Sequence, residues 1–530
     1  MNKHWNQWWI AVFVCIVPMS SIAPASDSRP NIIVIMADDM GWSDLGCYGG
    51  EIKTPHIDSL AKQGLRFRQF YNNSVCGPTR ASLLTGLYCQ QVGHSGRRWN
   101  EPKDFSKCLT IAELLRSAGY HTLMVGKWQG RDLAVKRGFD RFFGPMCQGK
   151  ISFFQEVKLN PFYLDDKRWR FPKEGFYMPD AFTDHAVQFV EEAARKDQPF
   201  FLYAAYIVPH WPLHAPEADI KQYRKLYRQQ GWDVLRAKRF QSQRKMRLIP
   251  DTWKLSPRPK GVPAWKDVTN KDWQAERMAV YAAQISAMDR GVGRILQAVK
   301  TAGKEDNTLI MFLSDNGAAV DGGVQPTNSG FGFAPNRPNN NWRIDGVAIR
   351  PGSGPKIMPG PADTFAGYGP AWCNLSNTPL FGTKSTAYEG GVRTPLIVRW
   401  PTVIKKHGQF TGQVGHVMDI MATCADVSGG TYPKELSGRK PIPPEGKSLL
   451  PIFKGKQRDG HKELCWDAPR NQAILMGPWK LVNAGHNRPW ELYNLSNDTT
   501  ESNNLAKAHP QRVADMSQRY ELWKKRVGVK

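Results

Sequence analysis

Hydrophobic runs that end abruptly in polar residues set the rhythm of this chain. Asn31 to Ala37 (NIIVIMA) is a continuous β-branched-rich run, the pattern of a strand covered on both faces of a parallel sheet, and Asp38-Asp39 follow it. Far along the chain Leu309 to Leu313 (LIMFL) repeats the arrangement and runs into Ser314-Asp315-Asn316. Polar residues directly after buried strands collect at the carboxyl edge of a parallel sheet, so these two strand ends are expected to face one site. Pro199 to Val208 (PFFLYAAYIV), ending at Pro209-His210, and Leu123 to Val125, ending at Gly126-Lys127, predict further buried strands. Helical spacing appears in Leu109 to Ala118, Asp180 to Ala194 and Met278 to Thr301, the last with Ile285, Met288, Val292 and Ile295 on one face. Strands alternating with helices predict an α/β sandwich.

Three segments break that rhythm. Arg224 to Trp273 is rich in Arg, Lys and Trp, Gly322 to Pro370 in Gly, Pro and Asn, and Pro433 to Gly446 in Pro and Gly. The first two read as long excursions beside the polar strand ends, where loops of that length more often serve function. The third marks a boundary, giving a main domain over 26–435 and a smaller domain over 436–530. In the latter, Asn471 to Val482 and Trp490 to Leu495 are hairpin-like, and a polar helix follows from Gln511 to Val527.

The N-terminus changes the compartment. Lys3, the apolar run Trp8 to Val17 and the small-residue pattern Ala23-Pro24-Ala25 read as a signal peptide over residues 1–25. Its apolar run falls short of the ~20 residues that span a bilayer, so the expectation is an exported protein, periplasmic or extracellular, without stable membrane insertion. The rest of the composition is that of an ordinary globular chain: 530 residues, 41% hydrophobic, 22% charged. Nine cysteines with no CxxC pair oppose zinc-ribbon and thioredoxin-like readings. The net charge of +25 favours acidic partners. These include nucleic acid, acidic lipid and acidic polysaccharide, and charge alone does not choose among them; export and the absence of a recognition motif argue against nucleic acid, and the aromatic, basic segments favour an acidic carbohydrate.

Asp38, Asp39, Asp315 and Asn316 offer hard oxygen donors, which suit Ca²⁺ or Mg²⁺ and disfavour zinc or copper. Taken alone, such residues also cap helices and make turns. The decisive context is Ser74-Val75-Cys76-Gly77-Pro78-Thr79-Arg80, followed by Ala81 to Gly86 (ASLLTG). This Cys-x-Pro-x-Arg core resembles the signature of the sulfatase family. Further segments resemble that family in order: ADDMGWSDLGCYG at 37–49, GYHTLMVGKW at 119–128, RGFDRFFG at 137–144, IVPHWPLHAP at 207–216, FLSDNGA at 312–318, YEGGVRTPLIVRWP at 388–401 and GHVMDIMATCADVSG at 415–429. The resemblance is strongest to arylsulfatase-type members.

The resemblance implies an alkaline-phosphatase-like α/β/α sandwich with a large mixed, mainly parallel sheet, plus a smaller C-terminal α+β domain with an antiparallel sheet. It implies that a maturation enzyme oxidises Cys76 to formylglycine, whose hydrate attacks the sulfur of a sulfate ester. It further implies one Ca²⁺ held by Asp38, Asp39, Asp315 and Asn316 together with residue 76. Arg80, Lys127 and Lys384 match the cations that hold sulfate, and His210 matches the acid that protonates the leaving group, aided by Lys384. Ser152 falls where some members place a polar contact. Two hydroxyls on one carbon serve turnover, because the second can expel sulfate where a serine would keep it.

Gln129 departs from the pattern, since most relatives carry histidine after Gly-Lys-Trp. Glutamine exchanges hydrogen bonds but takes up no proton near neutral pH, so sulfate release is the step in question, with His94 and His214 as candidate substitutes. The residues leave two rivals open. One is a phosphodiesterase or phosphonate hydrolase of the same superfamily; the other is a sulfoglycan-binding protein with impaired turnover.

Overall fold

A computed structural model describes Met1 and residues 28–95, 104–146, 153–154, 161–320, 346–350, 354–435, 438, 440–483, 485 and 488–529. Apart from Met1, the segment 1–25 expected to be a signal peptide lies outside these residues, as do Ser152 and most of the 322–353 stretch. Among the described residues, ten strands form one sheet in the order Gln409–Thr411, Leu65–Phe67, Leu396–Arg399, Thr308–Ser314, Asn31–Ala37, Phe200–Ala205, His121–Gly126, Arg141–Pro145, Phe162–Leu164 and Lys167–Trp169. Its centre is parallel: Asn31–Ala37 pairs in parallel with Thr308–Ser314 on one side and Phe200–Ala205 on the other. Leu396–Arg399 runs antiparallel against Thr308–Ser314, and the sheet closes antiparallel at its far edge. The fold is thus α/β with a large mixed, mainly parallel sheet.

Alternation along the central strand explains why it is apolar throughout. Ile33, Ile35 and Ala37 enter one core with Ile285, Met288, Val292 and Ile295 of the long helix Lys271–Thr301. Ile32, Val34 and Met36 enter a second core on the opposite face, with Leu83, Leu114 and Ile420. Each fully buried aliphatic side chain is worth about 1.5–3 kcal/mol over an exposed one, so both faces hold the strand in register and fix where its carboxyl end falls.

Leu464–Asp467, Gln472–Met476, Trp479–Asn483 and Trp490–Asn494 form a separate four-stranded antiparallel sheet covered by the helix Pro510–Val527. Its core, with Trp466, Leu481, Tyr520 and Trp523, also takes in Tyr71, Tyr88 and Met418 from the main body.

The expectation for Arg224 to Trp273 needs correction. Its first half is not irregular: it belongs to the helix Glu217–Lys245, kinked at Gly231. The buried positions Ile220, Tyr223, Tyr227, Leu235, Arg239 and Gln243 follow helical spacing. Two of them are polar, and they are buried because Arg239 reaches Asp44 at 2.8 Å and Glu51 at 2.7 Å while the Gln243 amide donates to the Tyr48 carbonyl. An apolar periodicity search passes over a helix whose buried face is partly charged.

Candidate active site

The site forms at the carboxyl ends of the central strands. Asp38 and Asp39 follow Asn31–Ala37, Asp315 and Asn316 follow Thr308–Ser314, and Lys127 follows His121–Gly126. Backbone bonds lock these ends together: the Asp315 amide donates to the Ala37 carbonyl at 3.1 Å, and the Lys127 amide to Ala205 at 2.9 Å. Gly126 makes the Lys127 corner feasible, because a Cβ there would sit 2.0 Å from the Ala205 oxygen at a φ of +94°. Gly317 has a similar duty. A side chain there would meet the Gly390 carbonyl at 1.8 Å, so glycine lets the 315–317 turn press against the 389–391 turn.

Cys76 opens a helix, Cys76–Thr85, that is buried along its whole length. Arg80 lies one turn further on and is fully buried. Its Nη2 donates to Asp315 Oδ2 at 2.8 Å and lies 3.6 Å from Asp38 Oδ2, while Nη1 meets the Tyr203 hydroxyl at 3.3 Å. Despite burial, the Tyr203 oxygen, Asp315 and Asp38 push the guanidinium's pKa above its ordinary value. Lys127 Nζ lies 2.5 Å from Asp38 Oδ2, and Lys384 Nζ lies 2.5 Å from Asp39 Oδ1. The Asn316 amide donates to Asp39 Oδ1 at 2.7 Å, and Asp39 donates its backbone N–H to Asp315 Oδ1 at 3.1 Å. Gln129 adopts a positive φ of 57° and brings its amide Nε2 to 3.8 Å from Cys76 Sγ.

The electrostatics of the two central acids diverge. Burial raises the Asp38 carboxyl, but Lys127, His210, Arg80 and Lys384 together outweigh it and hold the group well below the usual carboxylate range. Asp315 is pushed up to about 7, by burial first and by the negative charge of Asp38 second. His210 is pushed down to about 4 by burial, with Lys384 adding to the effect and Asp39 opposing it. Its Nδ1 lies 2.5 Å from the Trp211 carbonyl, which accepts only from a protonated nitrogen, so Nε2 is left facing Asp39 Oδ2 at 3.3 Å.

A metal fits the donor set. Asp38 Oδ1, Asp39 Oδ2 and Asn316 Oδ1 are buried oxygens that accept no hydrogen bond among the described residues. Buried acceptors left bare cost about 1–3 kcal/mol each, more when charged, and a hard cation satisfies several at once. Ligand atoms of Asp38, Cys76 and Asp315 lie within 4.8 Å of one another, as do those of Asp38, Asp39 and His210.

The structure therefore brings together Asp38, Asp39, Cys76, Arg80, Lys127, Gln129, His210, Asp315, Asn316 and Lys384. Ser152 lies outside the described residues. His214 has both ring nitrogens engaged away from Cys76: its Nδ1 accepts from the Phe153 amide at 3.3 Å, and its Nε2 lies 2.8 Å from the Thr364 carbonyl. His94 is fully buried just beyond the 3₁₀ turn Cys89–Val92. Two contributors escaped the sequence reading. Tyr203 lies inside an apolar strand, where only its hydroxyl hints at a polar partner. Asn377 receives the Ala318 amide at 3.1 Å and donates to the Gly382 and Gly390 carbonyls, tying together the loops around Lys384.

A buried acidic cluster thus lies beside a helix N-terminal cysteine, with Arg80, Lys127 and Lys384 around it, at the carboxyl edge of the main sheet. Residues 30–430 match the Sulfatase family, and residues 380–527 match the family described as N-sulphoglucosamine sulphohydrolase, C-terminal. The chain is 31% identical to an uncharacterized sulfatase of Schizosaccharomyces pombe, over 95% of both chains. It is 32% identical to an arylsulfatase of Klebsiella aerogenes, over 87% of this chain and 99% of that one. Among solved structures it resembles Ps i-CgsB in complex with k-i-k-neocarrahexaose, with a TM-score of 0.66 and 26% identity, covering 93% of this chain and 92% of that one. The chain belongs to the sulfatase family, and it is a sulfuric ester hydrolase.

Proposed function

We propose that this sulfatase removes sulfate from a sulfated carbohydrate after export to the periplasm or the exterior, using a formylglycine made from Cys76 and one Ca²⁺. The observation that carries the reading is the placement of Cys76 on a helix N-terminus within reach of Asp38, Asp315 and the Gln129 amide. When present, Ca²⁺ and the hydrated aldehyde supply a polarised nucleophilic hydroxyl and a second hydroxyl on the same carbon. Asp38, Asp39 and Asn316 would hold the ion through oxygens that accept no hydrogen bond among the described residues, and Asp315, whose oxygens accept from Arg80 and the Asp39 amide, would complete the set.

The chain's own residues do the rest. Arg80, fixed by Asp315 and Tyr203, presents a guanidinium that cannot swing away, and preorganised cations stabilise charge developing on sulfate oxygens. Lys127 and Lys384 balance Asp38 and Asp39, and they contribute further fixed positive charge to the pocket. Burial biases the His210 imidazole toward its neutral form, with Asp39 opposing this and Lys384 adding to it; a sulfate ester would bring negative charge that favours the imidazolium and readies Nε2 to protonate the departing oxygen. The carbohydrate preference draws support from the net charge of +25 and from relatives whose names or bound ligands are saccharide-related. Export draws support from the N-terminal pattern; among the described residues no helix is long and apolar enough to cross a membrane.

The test is the mass of the tryptic peptide containing residue 76, with aldehyde labelling, after co-expression with a maturation enzyme. The expected result is the aldehyde. Cys76→Ala should abolish turnover with the fold intact, and Cys76→Ser should retain sulfate on the serine. Active enzyme whose residue 76 is an unmodified thiol overturns the reading.

A further inference from the structure

The loop that carries Lys384 is not held by the main sheet alone. Its amide at Lys384 donates to the Ala318 carbonyl at 2.9 Å, and the next amide, Ser385, donates to the Ser74 carbonyl at 2.8 Å, two residues before Cys76. Ser385 has a φ of 72°, a conformation that a non-glycine residue keeps only when its surroundings impose it. Contacts from the C-terminal hairpin add to those from the main body. The Arg470 amide donates to the Ser385 carbonyl at 3.2 Å, and the Asn471 side-chain oxygen accepts the Ala387 amide at 2.6 Å. Asn471 is 2% exposed and sits at the turn between Leu464–Asp467 and Gln472–Met476, where its own carbonyl accepts the Ala468 amide.

The same sheet grips the far end of the loop. Lys480 Nζ lies 2.7 Å from Glu389 Oε1 and 3.0 Å from Glu501 Oε1, all three fully buried at the side chain, and Glu501 accepts the Glu389 amide at 2.7 Å. Lys384 therefore lies on a bridge with one abutment next to Cys76 and the other in the C-terminal sheet. We propose that Asn471 is a positioning residue that sets the reach of Lys384 into the sulfate pocket, so that the C-terminal sheet tunes leaving-group assistance in the main body. The inference rests on the proposed role of Lys384 and extends it to a residue in a separate sheet.

Asn471→Ala is expected to lower kcat/KM for a sugar sulfate, a poor leaving group, by about 10–100-fold, the scale of an ångström-level misplacement of a catalytic group. The loss should be smaller for 4-nitrophenyl sulfate, whose leaving group needs little assistance, a split that general destabilisation does not produce. Asn471→Asp keeps the acceptor oxygen and should recover most of the loss; Asn471→Ser takes the place of the alanine variant if that one does not fold. In a Lys384→Ala background, Asn471→Ala should have no further effect, and hydrogen exchange at 384–387 should quicken in Asn471→Ala alone. Equal losses on both esters, or effects that multiply with Lys384→Ala, overturn the positioning role. If Lys384→Ala itself is silent, the reading of Lys384 fails; unchanged exchange at 384–387 then overturns the clamp independently.

Discussion

Two buried carboxylate centres in this protein behave oppositely in the structure. Asp419 is fully buried and ringed by donors. Its Oδ1 accepts from the Lys447 amide at 2.8 Å and from His461 at 2.7 Å, and its Oδ2 accepts from the His416 amide at 2.9 Å and from Arg458 at 2.8 Å. Asp38 and Asp39 are equally buried, yet among the described residues each keeps an oxygen that accepts no hydrogen bond, as do Asn316 Oδ1 and Gln129 Oε1. A carboxylate whose lone pairs are all taken is part of the framework. One that folding leaves uncovered on its inner side is a place for a ligand, and the cost of burying it is recovered when the ligand arrives.

The sharpest break in that comparison is an isosteric change at each centre. Asp39→Asn keeps the shape, and asparagine tolerates the positive φ of 66° at this position. Activity should fall by on the order of 10³ or more, since a metal's charge stabilisation is worth several kcal/mol, and the Ca²⁺-dependent rise in melting temperature should shrink. Chelation should remove activity in the wild type and Ca²⁺ should restore it. Full activity in protein shown by elemental analysis to be metal-free sinks the assignment.

Gln129, whose amide lies 3.8 Å from Cys76 Sγ, probes the release of sulfate. If nothing else accepts the proton, wild-type enzyme should show a burst of ester cleavage followed by slow sulfate release, and Gln129→His should speed the slow phase by about 10², the lower range of general acid–base assistance. Rapid wild-type turnover without a burst would show that another base serves, and the ring contacts of His214 already argue against that residue.

Asp419→Asn should do the reverse of Asp39→Asn, lowering the melting temperature while kcat per folded molecule holds. The pH dependence follows from its carboxyl. Burial raises it, but His461 and Arg458 outweigh burial and bring it from 3.8 down to about 2. A depressed folded pKa gives stability that is fully present above the unfolded value and is lost as pH falls through about 2. The amount is roughly 2 kcal/mol, and urea midpoints measured between pH 5 and pH 2 should show a decline that Asp419→Asn flattens.

The smallest expected effect is at the surface. Lys221, Lys225, Lys238 and Lys245 are exposed along Glu217–Lys245, while Glu217 and Asp219 are already paired with Arg224 and Arg290. Affinity for a sulfated polymer should fall several-fold as salt screens charges over ~10 Å at 0.1 M, and a small aryl sulfate should respond less. Replacing these four lysines by glutamine should flatten the polymer's salt slope; an unchanged slope places the polymer elsewhere.

Much of the architecture was legible because it depends on local pattern. The strands Asn31–Ala37 and Thr308–Ser314 stand where their apolar runs lie, and the helix Met178–Ala194 begins two residues before the predicted start. Leu464–Asp467 and Leu396–Arg399 were not read as strands, because four-residue runs carry too little periodicity to separate strand from loop. The helix Glu217–Lys245 was hidden by its charged buried face.

By itself the sequence set out the candidate chemistry: a cysteine in a Cys-x-Pro-x-Arg core, acids after two buried strands, and the motif-borne cations Arg80 and Lys127. It could do so because strand alternation and motif spacing are properties of neighbouring residues. Which buried oxygens end up with donors, which histidine has both ring nitrogens engaged, and that Asn471 braces the loop of Lys384 were decided by the tertiary structure. Those facts depend on ångström-scale contacts between residues tens to hundreds of positions apart, and hydrogen-bond saturation is a property of the packed site, invisible in any one segment of the chain.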